Sequence, residues 1–171
     1  QSGQFGSANA ATAISVSVTS SISGGASGNY ALVQPNPVAA NITPKALTVS
    51  GTVVSNKVYD RTTDANVTAG SLVGVISGDI SNVVLARAGV FTSSNVGTAV
   101  AVAMNHSISG SAAANYTLTQ PTGVSANITA KPLTITASNV SSTYGSTTSL
   151  GTGAFTQSGL ITGDAINTVT L

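Results

Sequence analysis

The stretch Asn115-Tyr-Thr-Leu-Thr-Gln-Pro121 occurs twice in this chain, first as Asn29-Tyr-Ala-Leu-Val-Gln-Pro35. The two copies lie 86 positions apart and align without a gap, and about half of positions 5–50 are identical to positions 91–136. A fixed period of this length is typical of tandem domains that share one fold. The rest of the chain can be placed by its position relative to this repeat.

The later part of the repeat recurs at a spacing of 85, where Ile76-Ser-Gly-Asp79 is followed by Ile161-Thr-Gly-Asp164. The two periods together equal the chain length of 171 residues. We therefore expect 1–43 to be the C-terminal half of a repeat domain, 44–130 a complete domain and 131–171 the N-terminal half of the next. We also expect the chain to be one two-domain period of a longer polymer.

Composition narrows the class of protein. Charged residues make up 5% of the chain, against about 25% in typical domains, and both Glu and Cys are absent. The net charge of +1 gives no reason to expect a nucleic-acid partner, and no run of 18 apolar residues predicts membrane insertion. The hydrophobic content of 42% argues against a disordered polar tract, and the richness in Val, Ile and Thr favours β structure.

Alternation of apolar and small polar residues predicts short half-buried strands. In the stretch 46–53 it places Leu47, Val49 and Val53 on one face, and in 97–104 it places Val100, Val102 and Met104 inward. We predict strands at 11–19, 30–33, 38–43, 46–53, 65–69, 72–76, 83–85, 89–91, 97–104, 115–120, 124–128 and 132–137. This pattern predicts an all-β chain of immunoglobulin-like β-sandwich repeats stacked end to end. A β-solenoid is the alternative, although 86 residues exceed a solenoid coil.

Several recurring motifs together resemble the YDG repeats of bacterial surface proteins and their companion MBG (mostly bacterial Ig-like) repeats. The residues that carry the resemblance are Tyr59, Asp60, Gly78, Asp79, Tyr116, Tyr144, Gly145, Gly163 and Asp164. Arg61 stands where the YDG repeats usually have glycine. The resemblance implies tandem repeats of large secreted adhesins, including filamentous-haemagglutinin-like exoproteins. It also implies a stalk or fibre outside the bacterial cell and brings no catalytic site with it.

The sequence gives little support to an enzyme or a cofactor. The only histidine, His106, ends a predicted strand and is expected at the surface or at a sheet edge, and no serine stands out with a base and an orienting group. Asp60, Asp64 and Asp79 are weak Ca²⁺ candidates, because Ca²⁺ requires six to eight oxygen ligands and Gly-Asp pairs are common in turns. We therefore predict a non-enzyme without a cofactor, with Ca²⁺ as the less favoured alternative.

The recurring tyrosines, Tyr59 with Tyr144 and Tyr30 with Tyr116, are expected to be packing anchors with hydrogen-bonded hydroxyls. A sugar-stacking surface is the alternative for these side chains. Asn-x-Ser/Thr sequences also raise glycosylation as a hypothesis.

The function expected from these features is that of a structural repeat unit in a bacterial cell-surface or secreted filament. Such a unit gives reach, stiffness and lateral association, and its partners are neighbouring repeats, copies of itself, other filaments or surface glycans. One alternative is a set of discrete subunits in which 1–43 of one copy completes 131–171 of another by β-strand complementation. A second alternative is a module that binds a glycan or a receptor.

Overall fold

The computed structural model describes residues 2–147 and 153–169. In these ranges the regular structure is β-strand together with three short 3-10 turns, at Ser27–Asn29, Ser77–Asp79 and Ala113–Asn115. The prediction of an all-β chain is therefore confirmed. Within the same ranges, no helix is long and apolar enough to cross a membrane.

The described residues form fourteen strands, numbered in chain order. They are β1 (Ser2–Phe5), β2 (Ala11–Thr19), β3 (Val38–Ile42), β4 (Lys45–Val54), β5 (Lys57–Val58), β6 (Val67–Val73), β7 (Val84–Ala86), β8 (Gly89–Phe91), β9 (Gly97–Met104), β10 (Ser107–Ser109), β11 (Tyr116–Leu118), β12 (Ser125–Thr129), β13 (Thr134–Ala137) and β14 (Phe155–Ser158).

The chain forms two compact units, each drawn from three segments. Unit 1 contains residues of 2–53, 67–88 and 104–122, and unit 2 contains 54–66, 89–103 and the described residues from 123 onward. Both units thus take segments from 44–130. The domain boundaries expected from the repeat, at 43/44 and 130/131, stay predictions.

Unit 1 contains three small sheets. Strands β1, β2 and β3 form an antiparallel sheet, β7 pairs with β10, and β4 lies between β11 and β6. The pairing of β11 with β4 is parallel and places Tyr116 opposite Lys45 and Leu118 opposite Leu47. The core of this unit forms around Leu47, which is completely buried and packs with Val83, Ala112 and Tyr116.

Unit 2 contains a four-stranded sheet in the order β5-β12-β9-β8 and a separate antiparallel pair, β13 with β14. Phe91 and Ile128 are its most deeply buried side chains, and Val102 is also buried. Val100 and Met104 are half-buried on the same face of β9, which agrees with the predicted alternation.

The predicted strand at Tyr30–Val33 is wrong. Residues 30–33 are not in a strand, and the side chains of Tyr30 and Val33 are 72% and 86% exposed. The equivalent residues 116–118 form a strand because they pair with β4. Residues 30–33 have no pairing strand in the described part of the chain. A strand needs a neighbour to satisfy its backbone groups, and its own side-chain pattern does not supply one.

Two details of the strand prediction are also corrected. Gly51 has a φ of +65°, and beyond it the alternation in β4 shifts by one residue, so that Val54 is buried and Val53 is exposed. One extra residue of this kind moves the following side chains to the opposite face. The strands predicted at 65–69 and 72–76 are a single strand, β6, which passes through Gly70.

Candidate functional site

The hydroxyl of Tyr116 forms the centre of a hydrogen-bonded site in unit 1. It donates to Asp79 Oδ2 at 2.6 Å and accepts the backbone N–H of Ile76 at 3.2 Å. Tyr116 is 6% exposed, and the hydrogen bond to Asp79, together with burial, raises the pKa of its phenol. Tyr116 is therefore a packing anchor whose polar end is satisfied. The Gly78-Asp79 motif supplies the acceptor from the 3-10 turn Ser77–Asp79.

Asn115, the residue before Tyr116, joins the same site to the start of β2. Its Oδ1 accepts the N–H of Ala10 at 2.8 Å, and its Nδ2 donates to Asn9 Oδ1 at 3.2 Å. Asn115 and Tyr116 line a cavity of about 290 Å³, together with Lys45. The Asn-Tyr pair that marks the repeat therefore connects separate segments of unit 1 by hydrogen bonds.

Unit 2 contains the equivalent positions of this site without the Asn-Tyr pair. The equivalents of Lys45, Leu47, Ile76 and Asp79 are Lys131, Leu133, Ile161 and Asp164, and these four residues line a cavity of about 210 Å³. Leu133 is 38% exposed, whereas Leu47 is completely buried. The apolar floor of this cavity is therefore more open than its counterpart in unit 1.

Asp164 makes weaker contacts than Asp79. The tyrosine beside it is Tyr59, whose hydroxyl donates to Asp164 Oδ1 at 3.4 Å, and Arg61 Nε lies 3.5 Å from the same oxygen. Burial and the Asp164 carboxylate raise the pKa of Tyr59. Arg61 also donates to the carbonyl of Thr162, and its φ of +68° explains why glycine is usual at this position.

A groove of about 560 Å³ in unit 1 is lined by the exposed side of the first repeat copy. Ile22, Tyr30 and Leu32 line it and are 45%, 72% and 40% exposed. Their equivalents Ile108, Tyr116 and Leu118 belong to the core cluster around Leu47. The same sequence pattern is therefore packed in one copy and open in the other.

Two recurring polar residues act on the backbone, a role that the sequence analysis missed. Gln120 brackets residue 106 by accepting its N–H at 2.9 Å and donating to its C=O at 2.8 Å. Gln34 brackets Ser20 in the same way. The signal that identifies such residues is the recurrence of an uncharged polar side chain at the repeat spacing.

Asn41 and Asn127 have a similar backbone role. Asn127 Oδ1 accepts the N–H of Ala99 at 2.8 Å, and Asn41 Oδ1 accepts that of Ala13 at 2.8 Å. Both alanines have positive φ, +49° and +55°, where the strand is irregular. The asparagine therefore satisfies a backbone donor at an irregular point of the strand, in both copies.

His106 is buried, so the prediction of a surface histidine is wrong. It is 5% exposed, because it continues the inward alternation of Val100, Val102 and Met104 by one further step. Its Nδ1 accepts the N–H of Ala88 at 3.0 Å. Burial, assisted by the positive charge of Arg87, lowers the pKa of His106 and favours the neutral ring.

Asp60 is held by its own turn. Lys57 Nζ lies 2.7 Å from Asp60 Oδ1, and the N–H of Thr62 donates to the same oxygen at 2.9 Å. These hydrogen bonds, that of Lys57 first, lower the pKa of Asp60 to about 2. Lys57 Nζ also stands 5.8 Å from the centre of the Phe91 ring. The Tyr-Asp motif thus builds a turn over the core of unit 2.

The weak calcium candidates are divided between the two units. Asp60 and Asp64 belong to unit 2 and Asp79 belongs to unit 1. Over residues 2–147 and 153–169, no group of three or more His, Cys, Asp or Glu side chains is placed to hold a metal ion.

The remaining motif residues lie in turns. Gly145 and Gly163 have φ values of +85° and +94°, a conformation that favours glycine. The side chain of Tyr144 is fully exposed, and that of Tyr30 is largely so. The expectation of a packed tyrosine is therefore wrong for these two positions in this structure.

Comparison with known proteins gives one match. Residues 43–123 match the family model described as the YDG domain, which supports the resemblance over that stretch. The matched region includes Tyr59, Asp60, Gly78, Asp79 and Tyr116, so the Tyr116–Asp79 pair lies within the stretch that is similar to the YDG domain. No curated protein and no solved structure matches the chain.

Proposed function

We propose that this chain is a structural repeat unit of a secreted bacterial fibre or adhesin stalk. Each repeat of about 86 residues folds, in this proposal, as an immunoglobulin-like β-sandwich with boundaries at 43/44 and 130/131. The observation that carries the proposal is the repetition of the same hydrogen bonds at the same spacing. Gln34 and Gln120 bracket equivalent backbone positions, and Asn41 and Asn127 satisfy equivalent bulges.

The connection between the proposed domains favours a stiff array. Strand β3 ends at Ile42 and β4 begins at Lys45, so two residues separate them. Asn115 is bonded to Asn9 and Ala10, which lie on the other side of the proposed boundary at 43/44. In a stacked repeat protein such contacts add interface energy that an isolated repeat lacks. A fibre built this way resists bending at its joints.

The sparse charge of the surface supports lateral association. With 5% charged residues and a net charge of +1, little electrostatic repulsion opposes contact between neighbouring fibres. We propose an extracellular location at the bacterial cell surface and the same kind of repeat, in this or another filament, as the main partner. The proposal requires no catalytic residue and no cofactor.

A glycan- or receptor-binding module is the second candidate function. The observation that favours it is the exposure of Tyr144 and Tyr30, because aromatic rings in contact with water can stack on sugar rings. Screening of the chain against a glycan array tests it. Specific binding that Tyr144→Ala abolishes supports this candidate, and an array without binding contradicts it.

Sedimentation and negative-stain electron microscopy of the 171-residue chain over a concentration series test the main proposal. Rods or filaments that lengthen with concentration are expected, and monomers at every concentration contradict it. The intact mass of native material under dissociating conditions then separates one long tandem-repeat chain from subunits near 16.6 kDa.

A further inference from the structure

We infer that the segment Asn29–Leu32 of one copy completes the sheet β13-β14 of a second copy of this chain. The segment adds as a strand parallel to Lys131–Leu133, with the Tyr30 hydroxyl bound at Asp164. This inference rests on the proposed function and names the surface by which one repeat unit joins the next.

The order of strands in unit 1 supports this inference. In unit 1, β4 lies between β11 and β6. Strands β13 and β14 repeat β4 and the end of β6. Gly74 and Gly159 both have a φ of +101°. A Cβ atom at Gly74 would meet the carbonyl oxygen of Ala46, and a Cβ atom at Gly159 would meet that of Pro132. Residues 131–133, which directly precede β13, therefore correspond to the part of β4 that β11 occupies, and in the described residues they pair with no other strand.

The backbone hydrogen-bonding groups of the two segments are also compatible with this pairing. In the complete sheet the N–H of Thr119 donates to the carbonyl of Leu47 at 2.9 Å, and Tyr116 lies opposite Lys45. The same register places Tyr30 opposite Lys131 and the N–H of Val33 on the carbonyl of Leu133.

Pro132, which has no N–H, does not disturb this pairing. It replaces Ala46, whose carbonyl is directed toward Gly74 on the β6 side. The N–H and C=O of one strand residue point to the same side, so the missing donor faces away from the incoming strand.

The tyrosine site of unit 1 has an incomplete equivalent in unit 2. In unit 1 the Tyr116 hydroxyl bonds both Asp79 and the N–H of Ile76. In unit 2 the equivalents Asp164 and Ile161 line a cavity that lacks the corresponding tyrosine. Tyr30 is the equivalent tyrosine, and it is 72% exposed. Its hydroxyl replaces the 3.4 Å contact of Tyr59 with a bond of the Tyr116 type.

The two surfaces that would meet also carry complementary apolar side chains. One face presents Ile22, Ala26 and Leu32 along the groove of about 560 Å³, and the other presents Leu133 and Leu160 in the cavity of about 210 Å³. In the complete repeat the equivalent residues pack together in a single core. Its members are Leu47, Val75, Ile108, Ala112 and Leu118. When the two faces come together, each packs against side chains equivalent to those that its counterpart contacts in unit 1.

The occupant of the site beside residues 131–133 is, in this inference, a second copy of this chain. The internal repeat shows the bound arrangement with the same side chains, so the partner sequence is already known. The strand is donated by the N-terminal part of one chain and received by the C-terminal part of another. Such a head-to-tail contact generates a filament when its rotation does not close a ring.

Cysteine cross-linking tests the inference, and the native chain contains no cysteine. A chain with Ala31→Cys is mixed with a chain with Pro132→Cys, each with a different tag, and oxidised. Neighbouring parallel strands are about 4.8 Å apart, which suits a disulfide. The control replaces Pro132→Cys with Thr156→Cys, on the far strand β14. We expect the mixed disulfide dimer to exceed the control several-fold.

A second pair of variants provides a test that does not depend on correct folding of the cysteine variants. Tyr30→Phe is expected to weaken self-association several-fold without changing the stability of the dilute chain. Tyr116→Phe is the matched control, expected to lower stability and leave the association surface intact.

Each result has a distinct meaning. Filaments with cross-linking equal to the control and unaffected by Tyr30→Phe overturn the inference and leave the proposed function standing. A chain with both cysteines that closes its disulfide within one molecule also overturns the inference. Monomers without cross-linking at any concentration overturn both.

Discussion

Tyr30 and Tyr116 occupy the same position in two copies of one sequence repeat, yet their surroundings differ. Tyr116 begins β11, is 6% exposed and bonds Asp79, whereas Tyr30 lies outside any strand and is 72% exposed. The residues that follow are related by the same Leu-x-Gln-Pro pattern. The copies share their sequence signature and differ in whether β4 lies beside them.

The comparison between the two copies indicates that each half-repeat supplies only some of the strands of a sheet. Features within one copy form in both: Gln34 and Gln120 make the same pair of bonds, and Asn41 and Asn127 the same single bond. Features that need the preceding half-repeat form only where it is present. Whether residues 29–33 pack as a strand therefore depends on the segment that lies beside them.

The largest expected difference concerns Leu47 and its repeat equivalent, Leu133. Leu47→Ala removes a completely buried side chain and is expected to lower the free energy of unfolding by about 2–5 kcal/mol. Leu133→Ala, at 38% exposure, is expected to cost less than about 1 kcal/mol in the dilute chain. Urea denaturation of both variants measures the two values. Equal losses contradict the comparison.

The tyrosine hydroxyls give the next largest difference. Tyr116→Phe leaves the Asp79 carboxylate without its donor and is expected to cost about 1–3 kcal/mol. Tyr30→Phe is expected to change the stability of the dilute chain by less than about 0.5 kcal/mol, because the ring is exposed. Thermal and urea denaturation provide the measurement. A comparable loss in Tyr30→Phe implies that Tyr30 is already packed.

The asparagines at the bulges should behave alike in the two copies. Asn127→Ala and Asn41→Ala each remove a 2.8 Å bond to a backbone N–H and are each expected to cost about 0.5–1.5 kcal/mol. Hydrogen exchange at the amides of Ala99 and Ala13 reports the two sites separately. Loss of protection in Asn127→Ala but not in Asn41→Ala means that the first copy lacks this local structure.

The smallest expected effect is the pH dependence from His106. Its pKa is lowered in the folded chain, so the unfolded chain takes up the proton first. Stability from this group is fully present above the ordinary pKa of about 6.5 and declines as the pH falls below it. His106→Ser, which introduces the residue of the first copy, should flatten the curve of urea midpoint against pH between about pH 7.5 and 5.5. An unchanged slope contradicts the assignment to His106.

Much of the fold was predictable because it depends on local patterns. The alternation at 11–19 and 97–104 predicted β2 and β9, and the repeat predicted which motifs are equivalent. The shift in alternation beyond Gly51, which leaves Val53 exposed, could not be predicted, because a single glycine in a strand does not specify the sign of φ.

The candidate site was less predictable for a physical reason. The burial of His106 depends on the alternation of β9 continuing past its end, and the exposure of Tyr30 depends on a strand that must come from outside the copy. By contrast, the backbone roles of Gln120 and Asn127 had a usable signal, because both recur at the repeat spacing among variable surface residues.

Hydrogen exchange of the two equivalent segments, measured in dilute and in concentrated solution, tests the central claim most directly. We expect the amide of Thr119 to be protected under both conditions, since it donates to Leu47. The amide of Val33 should exchange freely in the dilute chain and become protected on assembly, when Leu133 of a second copy accepts it. Protection of Val33 in the dilute monomer, or free exchange in the assembled state, contradicts the account.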